Sequence, residues 1–411
     1  MKGDFSRFTF DAGKRYTSVR LQQGRVSLDS DWNEQAAIDE HVARLRFVDA
    51  VGNCAAPTRD GFALRARGSA LELSPGRMYV GGLPCELDRR ASLHEVSAGA
   101  IVPSRDRTDL LYVDAWERHV TALQDPDLLE PALGGSDTTT RLQVAWKLVA
   151  LENVRSTSRT NPAALLPRPP TGTMRASAPD PYAGENRLYR VEIHDGGDPG
   201  EASFKWSRDN GSVVFGIDEI VAPRALALTP FPRNSTHALD LGAWVEVSGD
   251  ESERRGRSGT LARVEELEAA SRVAVLDRDV SERAAEGHAL LRRWDGKDGS
   301  TPVPAEAVEL EAGISVRFSA GSYRSGDYWT IPARAGTPSE WAGDEAPHGV
   351  EHRLCPLAFV TWRKSARGWT PSIRDCRRLF SPLTHVEREL AQLRSEVAEL
   401  RRRVGEPGGT R

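Results

Sequence analysis

Residues 244–276 read WVEVSGDESERRGRSGTLARVEELEAASRVAVL. Trp244-Val245-Glu246-Val247 and Gly259-Thr260-Leu261-Ala262-Arg263-Val264 are short β-type runs, and Val273-Ala274-Val275-Leu276 is a third. A charged loop from Asp250 to Ser258 separates the first two. A strand turns its side chains to opposite faces with period two, so short runs of this kind, rich in Val and Leu, fit strands better than helices. Short strands at regular spacing with polar turns between them predict a small barrel or sandwich near 235–295.

The same grammar extends in both directions. Upstream, Phe204-Lys205-Trp206-Ser207 and Val213-Val214-Phe215 flank Asn210-Gly211, the pair that best tolerates the positive φ angles of a type I′ turn, so a hairpin is expected over 203–217. Leu71-Glu72-Leu73, Arg77-Met78-Tyr79-Val80, Leu110-Leu111-Tyr112-Val113 and Arg141 to Val154 are further strand candidates. Downstream, 313–335 and 350–363 continue the pattern, with Tyr328-Trp329-Thr330-Ile331 and Leu357-Ala358-Phe359-Val360 as strands. Residues 155–186, rich in Pro, Ser, Thr and Ala, are the best linker candidate.

Two segments break the β pattern. Residues 1–30 are extended and turn-rich, and a helix follows them. Asp29, Ser30 or Asp31 can cap it through side-chain oxygens, Trp32, Ala36, Val42, Leu45 and Val48 recur at roughly helical spacing, and Gly52-Asn53 can end it. At the other end, apolar residues fall at Leu383, Val386, Leu390, Leu393, Val397, Leu400 and Val404, alternating steps of three and four. That is a heptad seam with Leu383, Leu390, Val397 and Val404 at a and Val386, Leu393 and Leu400 at d. Glu389 and Glu396 stand at g, Arg394 and Arg401 at the following e positions. In a parallel pairing each Glu faces an Arg of the neighbouring chain, whereas an antiparallel pairing sets Glu against Glu. A helix packed on its own chain body usually shows a wider apolar stripe than this. Three heptads are marginal for an isolated helix, so the globular part must help association.

The expected fold is mainly β: two or three small β-barrel or sandwich domains with an N-terminal helix and a C-terminal parallel coiled coil. The expected division is an attachment arm and helix over 1–60, a β-rich domain over 61–165, a linker and connecting segment over 166–202, a barrel-like domain over 203–300, a β-rich domain over 301–380, and the coiled coil and polar tail over 381–411.

The chain has 411 residues, 55 basic and 59 acidic, for a net charge of −4, which supplies no global electrostatic reason to bind nucleic acid or anionic membrane. No apolar run approaches a membrane span, so no membrane insertion is expected, and the start Met1-Lys2-Gly3-Asp4-Phe5 has no apolar h-region, so synthesis in the cytoplasm without Sec export is expected. The cysteines Cys54, Cys85, Cys355 and Cys376 form no C-x-x-C pair and no disulfide framework.

Catalytic signatures are weak. His348-Gly349-Val350-Glu351-His352 fits H-x-x-E-H, but that metal motif needs a helix, and Pro347, Gly349 and the β-type sequence after Cys355 oppose one. His348, His352, Cys355 and Cys376 are zinc-type ligands whose spacing demands no site. Asp29-Ser30-Asp31-Trp32-Asn33 with Glu40 resembles a calcium loop, but its sixth position is Glu34 where Gly is required, and a helix cap explains the acids more simply. No phosphate-binding loop or nucleophile elbow is present. Trp206, Trp244, Trp329 and Trp362 sit in strand-like contexts where core packing is the default, and an exposed row of them would point to a sugar platform. No catalytic, cofactor-binding or metal residue is nominated, and no enzyme activity is expected.

Four strings resemble a bacterial family of uncharacterised domains associated with phage-tail-like contractile injection systems. They are Met1-Lys2-Gly3-Asp4-Phe5-Ser6-Arg7 with Leu21-Gln22-Gln23-Gly24-Arg25-Val26 and Asp31-Trp32-Asn33-Glu34-Gln35; Tyr112 to Thr121; Phe204 to Ser212; and Gly326 to Arg334. The resemblance implies a particle component at the baseplate, tail fibre or spike and carries no catalytic residues. With the seam, it implies a parallel homotrimer, a dimer being second choice, attached to other particle subunits through the N-terminal segment. The competing expectation is a carbohydrate-binding or carbohydrate-active β-rich protein.

Overall fold

The computed structural model describes the chain except residues 100, 102, 156–159, 179–181, 183, 230–238, 336–342, 367, 382 and 406–411. It is mainly β, with several small sheets, an N-terminal helix Asp29–Val51 and a C-terminal helix Leu383–Gly405. Two compact units can be distinguished. One comprises Met1–Ala43, Ala115–Lys147 and Pro167–His352, the other Arg44–Asp114, Leu148–Leu166 and Arg353–Arg411.

The stretch 244–276 forms half of a closed barrel in the first unit. Trp244–Ser248 pairs with Thr260–Glu268 and with Leu290–Trp294; Val273–Leu276 joins Thr260–Glu268 to Ala225–Thr229; Val214–Ala222 closes the ring between Ala225–Thr229 and Leu290–Trp294. Val245, Val247, Ala262, Val264, Leu276 and Leu291 fill the interior. The charged loop 250–258 folds in part as the short helix Asp250–Arg254.

Beside the barrel in the same unit lies a four-stranded antiparallel sheet. Arg187–Ile193 is an inner strand, between Ser203–Ser207 and Tyr328–Ala333, and Thr301–Pro302 sits at one edge. The stretch 166–202 therefore carries an inner strand and the edge strand Met174–Ser177 of a further sheet. Period two explains the burial. Tyr189, Val191, Ile193, Phe204, Trp206, Trp329 and Ile331 point into one apolar core. The alternate residues Arg190, Glu192, Lys205 and Thr330 occupy the other face and are buried as well.

The expected hairpin over 203–217 does not form. Asn210 (φ 50°) and Gly211 (φ 63°) adopt the left-handed backbone expected of them. Yet Ser203–Ser207 pairs within the four-stranded sheet, while Val214–Ala222 pairs within the barrel. An Asn-Gly pair specifies two backbone conformations, not the sheet that each flanking strand joins.

The N-terminal helix also departs from expectation. Of the stripe Trp32, Ala36, Val42, Leu45 and Val48, Trp32 is 69% exposed and Leu45 50% exposed, whereas Ile38, outside the stripe, is buried. Asp29–Glu40 is helical and forms no calcium-type loop. The Asp29 carboxylate accepts hydrogen bonds from the Ser6 backbone and hydroxyl, and Gln35 accepts one from Val19 N at 2.7 Å, so the helix holds the extended arm.

In the second unit, Arg353–Ser365 and Gly368–Asp375 form a long hairpin. Trp362 is buried there and donates to Asp109 at 3.0 Å. All four cysteines belong to this unit with free thiols, and Cys54, Cys85 and Cys376 neighbour Cys355. Burial pushes the Cys85 thiol up to about 12.

Candidate functional site

Two uncovered apolar surfaces and one buried polar cluster are the features that can carry function. The first surface is the C-terminal helix. Val386, Leu390, Leu393, Val397, Leu400 and Val404 are all exposed, from 36% at Val386 to 86% at Val404. The side chain of Leu383 lies outside the described residues. Leu390, Leu393 and Val397 with Arg394 and Arg401 line one shallow groove. Within the helix, Arg403 pairs with Glu399 at 2.8 Å and Gln392 donates to Glu396 at 2.9 Å. Among the described residues, Glu389, Arg394 and Arg401 take part in no ion pair of their own chain. The described seam residues are thus uncovered, and Glu389, Arg394 and Arg401 are unspent by intrachain ion pairs among the described residues.

The second surface is the arm. Phe8, Phe10, Tyr16, Leu21, Val26 and Leu28 are exposed large apolar residues within the first 28 positions, and Trp32 follows them. Scattered exposed apolar residues are ordinary on a protein surface, but here they are concentrated along one segment.

The polar cluster lies in the first unit, where the charged face of the four-stranded sheet and the outward residues of the barrel meet. Cross-strand register sets Glu192 opposite both Lys205 and Tyr328. Lys205 Nζ lies 2.6 Å from Glu246, 3.4 Å from Glu192 and 3.3 Å from His194 Nδ1. Glu246 also accepts from Trp294 Nε1 at 2.9 Å and Gly259 N at 2.8 Å. Lys2 reaches Glu192 at 3.0 Å. Arg190 donates through Nε to Glu192 at 2.7 Å and through Nη1 to Met1 O at 3.0 Å, and its guanidinium lies 3.6 Å over the Tyr328 ring. Asn210 completes the clamp on the arm, donating to Gly3 O at 3.0 Å while its own carbonyl accepts from Gly3 N at 3.1 Å.

The cluster encloses a cavity of about 170 Å³, whose lining includes Lys2, Arg118, His119, Lys205, Arg292 and Tyr328. Nearby, Arg118 is neutralised by Asp250 at 2.8 Å. Each of the four strings quoted above contributes to this lining: Lys2 from the first, Trp116, Arg118 and His119 from the second, Lys205 from the third, Tyr328 from the fourth.

The field inside is legible in the ionisation behaviour. Burial alone would raise Glu246, but Lys205, Lys2 and His194 hold it down to about 2. Glu192 is opposed by burial in the same way and held well below the carboxylate range by Lys2, Arg190 and Lys205. Burial, then the surrounding cations, depress His119 to about 3. His194 is lowered by burial and Lys205.

These shifts fix the sign of a pH dependence. A histidine depressed in the folded state contributes stability that is complete above its ordinary 6.5 and is lost as pH falls toward its folded value, about 3 for His119. Glu246 contributes stability that is complete above 4.5 and is lost as pH falls toward 2. Urea midpoints are expected to fall gently from pH 6.5 to pH 4.5 and steeply below it, with His119→Asn flattening the gentle portion. The intrinsic limit is about 1.4 kcal/mol per pH unit per proton. Asp327, raised to about 6 by burial, opposes the fall over part of this range, so the comparison of variants decides: a His119→Asn profile parallel to that of the unsubstituted chain from pH 7 to pH 4 would refute the linkage.

The sequence nominated none of these buried charges. The zinc-type residues are not assembled either. His348 Nδ1 accepts from Thr330 N at 3.1 Å and its Nε2 lies 3.0 Å from Glu345, while the His352 ring stacks on Trp116. Among the described residues no group of three or more His, Cys, Asp or Glu side chains is arranged to hold a metal ion. Of the four tryptophans weighed as a sugar platform, Trp206, Trp329 and Trp362 are buried. Trp244 is half-buried, with its Nε1 donating to Lys297 O at 2.8 Å. No helix among the described residues is long and apolar enough to cross a membrane.

Comparison with known proteins adds one finding. A family model described as "Family of unknown function (DUF6519)" matches residues 1–75, 99–167 and 171–351. No curated protein and no solved structure matches the chain.

Proposed function

We propose that this chain, which belongs to the DUF6519 family of unknown function, is a non-enzymatic structural subunit that works in a homo-oligomer held by a C-terminal parallel coiled coil. The observation that carries the reading is the uncovered a/d seam of Leu383–Gly405, flanked by g and e charges with no ion partner in their own chain among the described residues. Burying seven apolar side chains per chain supplies the drive, and the Glu389–Arg394 and Glu396–Arg401 pairs between chains set direction more than affinity. A trimer is the first choice and a dimer the second.

The particle proposed is a phage-tail-like contractile injection system, in which the subunit serves at the baseplate, tail fibre or spike. The support is the resemblance of the four strings, together with an arm that exposes Phe8, Phe10, Tyr16, Leu21 and Val26 and can seat against a neighbouring subunit. Against the carbohydrate-binding alternative stands the burial of Trp206, Trp329 and Trp362, with Trp244 half-buried.

Sedimentation of particles from a native host tests the placement. The chain is expected to pellet with sheath and tube proteins and to be released when Phe8, Phe10 and Tyr16 are replaced by Ser. A chain that stays wholly in the supernatant while sheath and tube pellet would overturn the particle assignment.

A further inference from the structure

The cavity in the first unit carries an imbalance of charge that the structural role does not use. Its lining carries six cationic side chains, Lys2, Arg118, Arg190, Lys205, Arg257 and Arg292, against the four carboxylates of Glu117, Glu192, Glu246 and Glu253. The carboxylates beside it are already taken, Glu192 by Lys2, Arg190 and Lys205, Glu246 by Lys205, Trp294 Nε1 and Gly259 N, and Glu253 by Arg118 and Gln124. Arg292 is left over. It is 8% exposed and stands directly across the strand pair from Glu246, yet no described carboxylate lies within ion-pair distance of its guanidinium. Among the described residues its guanidinium donates one hydrogen bond, from Nη1 to the Gly211 carbonyl. Burying an uncompensated guanidinium costs several kcal/mol unless a counter-charge meets it.

A second group on the same lining is also unsatisfied. His119 Nε2 is buried and has no hydrogen-bond partner. Buried polar atoms left without partners are rare in folded proteins and call for an explanation. The same cations that surround the cavity depress His119, which is the response of an imidazole to a positive field. The space, about 170 Å³, is comparable to a cavity that admits a benzene-sized ligand and exceeds what a single water needs. The lining also includes Arg257, an exposed residue, so the cavity is bordered by surface.

We propose that this cavity is a binding site for a small oxyanion of the phosphate or sulfate class, held by the Arg292 guanidinium and the His119 ring, with Lys2 adding charge. A tetrahedral oxyanion supplies several acceptor oxygens, which matches the remaining N–H groups of the Arg292 guanidinium and one imidazole nitrogen. It also removes the excess positive charge that the carboxylates leave. The site does not depend on the oligomeric role, and its failure would leave that role standing.

Calorimetric titration and thermal melting of the full-length chain with inorganic phosphate test it, against sodium chloride at matched ionic strength. Phosphate is expected to bind saturably and to raise the melting temperature where chloride does not. Arg292→Gln is expected to weaken binding by about tenfold or more, and Arg292→Lys to retain part of it. Absence of a saturable phosphate effect, or full retention in Arg292→Gln, would overturn the proposal. Should Arg292→Gln not fold, the wild-type chain alone decides through the ring nitrogen resonances of His119. Phosphate must move them toward the protonated form, and unmoved resonances at saturating phosphate would overturn the site equally.

Discussion

Glu246→Gln is expected to destabilise the first unit by about 3 kcal/mol, measured as a fall in the urea midpoint at pH 7. The substitution removes the charge that Lys205 meets at 2.6 Å and leaves one acceptor oxygen where the carboxylate used two, one for Trp294 Nε1 and Lys205 and the other for Gly259 N. Lys205 then leans on Glu192 alone, at 3.4 Å, which Lys2 and Arg190 already share. The cost sits at the low end of the range for breaking a buried pair because that second carboxylate remains. Combining it with Lys205→Met removes the stranded cation, and the double variant is expected to be more stable than Glu246→Gln by about 1 kcal/mol or more. Simple additivity of the two single losses would show that the charges do not act as a pair.

Leu393→Asp is expected to break the assembly. Leu393 occupies the central d position of the seam and is 55% exposed in the single chain, so the substitution places no charge in the chain's own core. In an oligomer it sets one carboxylate per chain side by side within an apolar seam, which costs several kcal/mol per site. Association should weaken by more than about a hundredfold, with the circular dichroism of the β body unchanged. Reversing Glu389 and Glu396 to Arg tests direction. Facing Arg394 and Arg401, the new residues repel in a parallel pairing, whereas an antiparallel pairing merely exchanges one like-charged contact for another. Unchanged mass in Leu393→Asp would remove the seam from the account.

The barrel was legible because its strands obey local rules. Trp244–Ser248, Thr260–Glu268 and Val273–Leu276 stand where the short apolar runs and polar turns of 244–276 put them. The positive φ angles at Asn210 and Gly211 were legible for the same reason. The partners of the flanking strands were not, since pairing is decided by which faces can be buried at long range. The connecting stretch around 187–193 shows the opposite error. The linker reading rested on the Pro-, Ser-, Thr- and Ala-rich residues 155–186, and the alternation in Leu188-Tyr189-Arg190-Val191-Glu192-Ile193 beyond them belongs to an inner strand.

The buried charges were hidden by that same alternation. Arg190, Glu192, Lys205 and Glu246 look like the solvent side of amphipathic strands, and a strand pattern alone assigns them to water. They are buried because two such faces close on each other, as when Lys205 meets Glu246 across 41 positions of sequence. The available signal was the composition of the quoted strings, which place Lys2, Arg118, His119, Lys205 and Tyr328 within short recognisable blocks. The heptad seam was readable in full as a pattern, and the helix Leu383–Gly405 forms where that pattern lies. Its covering is the remaining proposal.

The native mass of the full-length chain at micromolar concentration tests that proposal most directly. Self-association through the seam predicts a multiple of the 45.1 kDa chain mass, three times as first choice and twice as second. A single-chain mass at that concentration would contradict it.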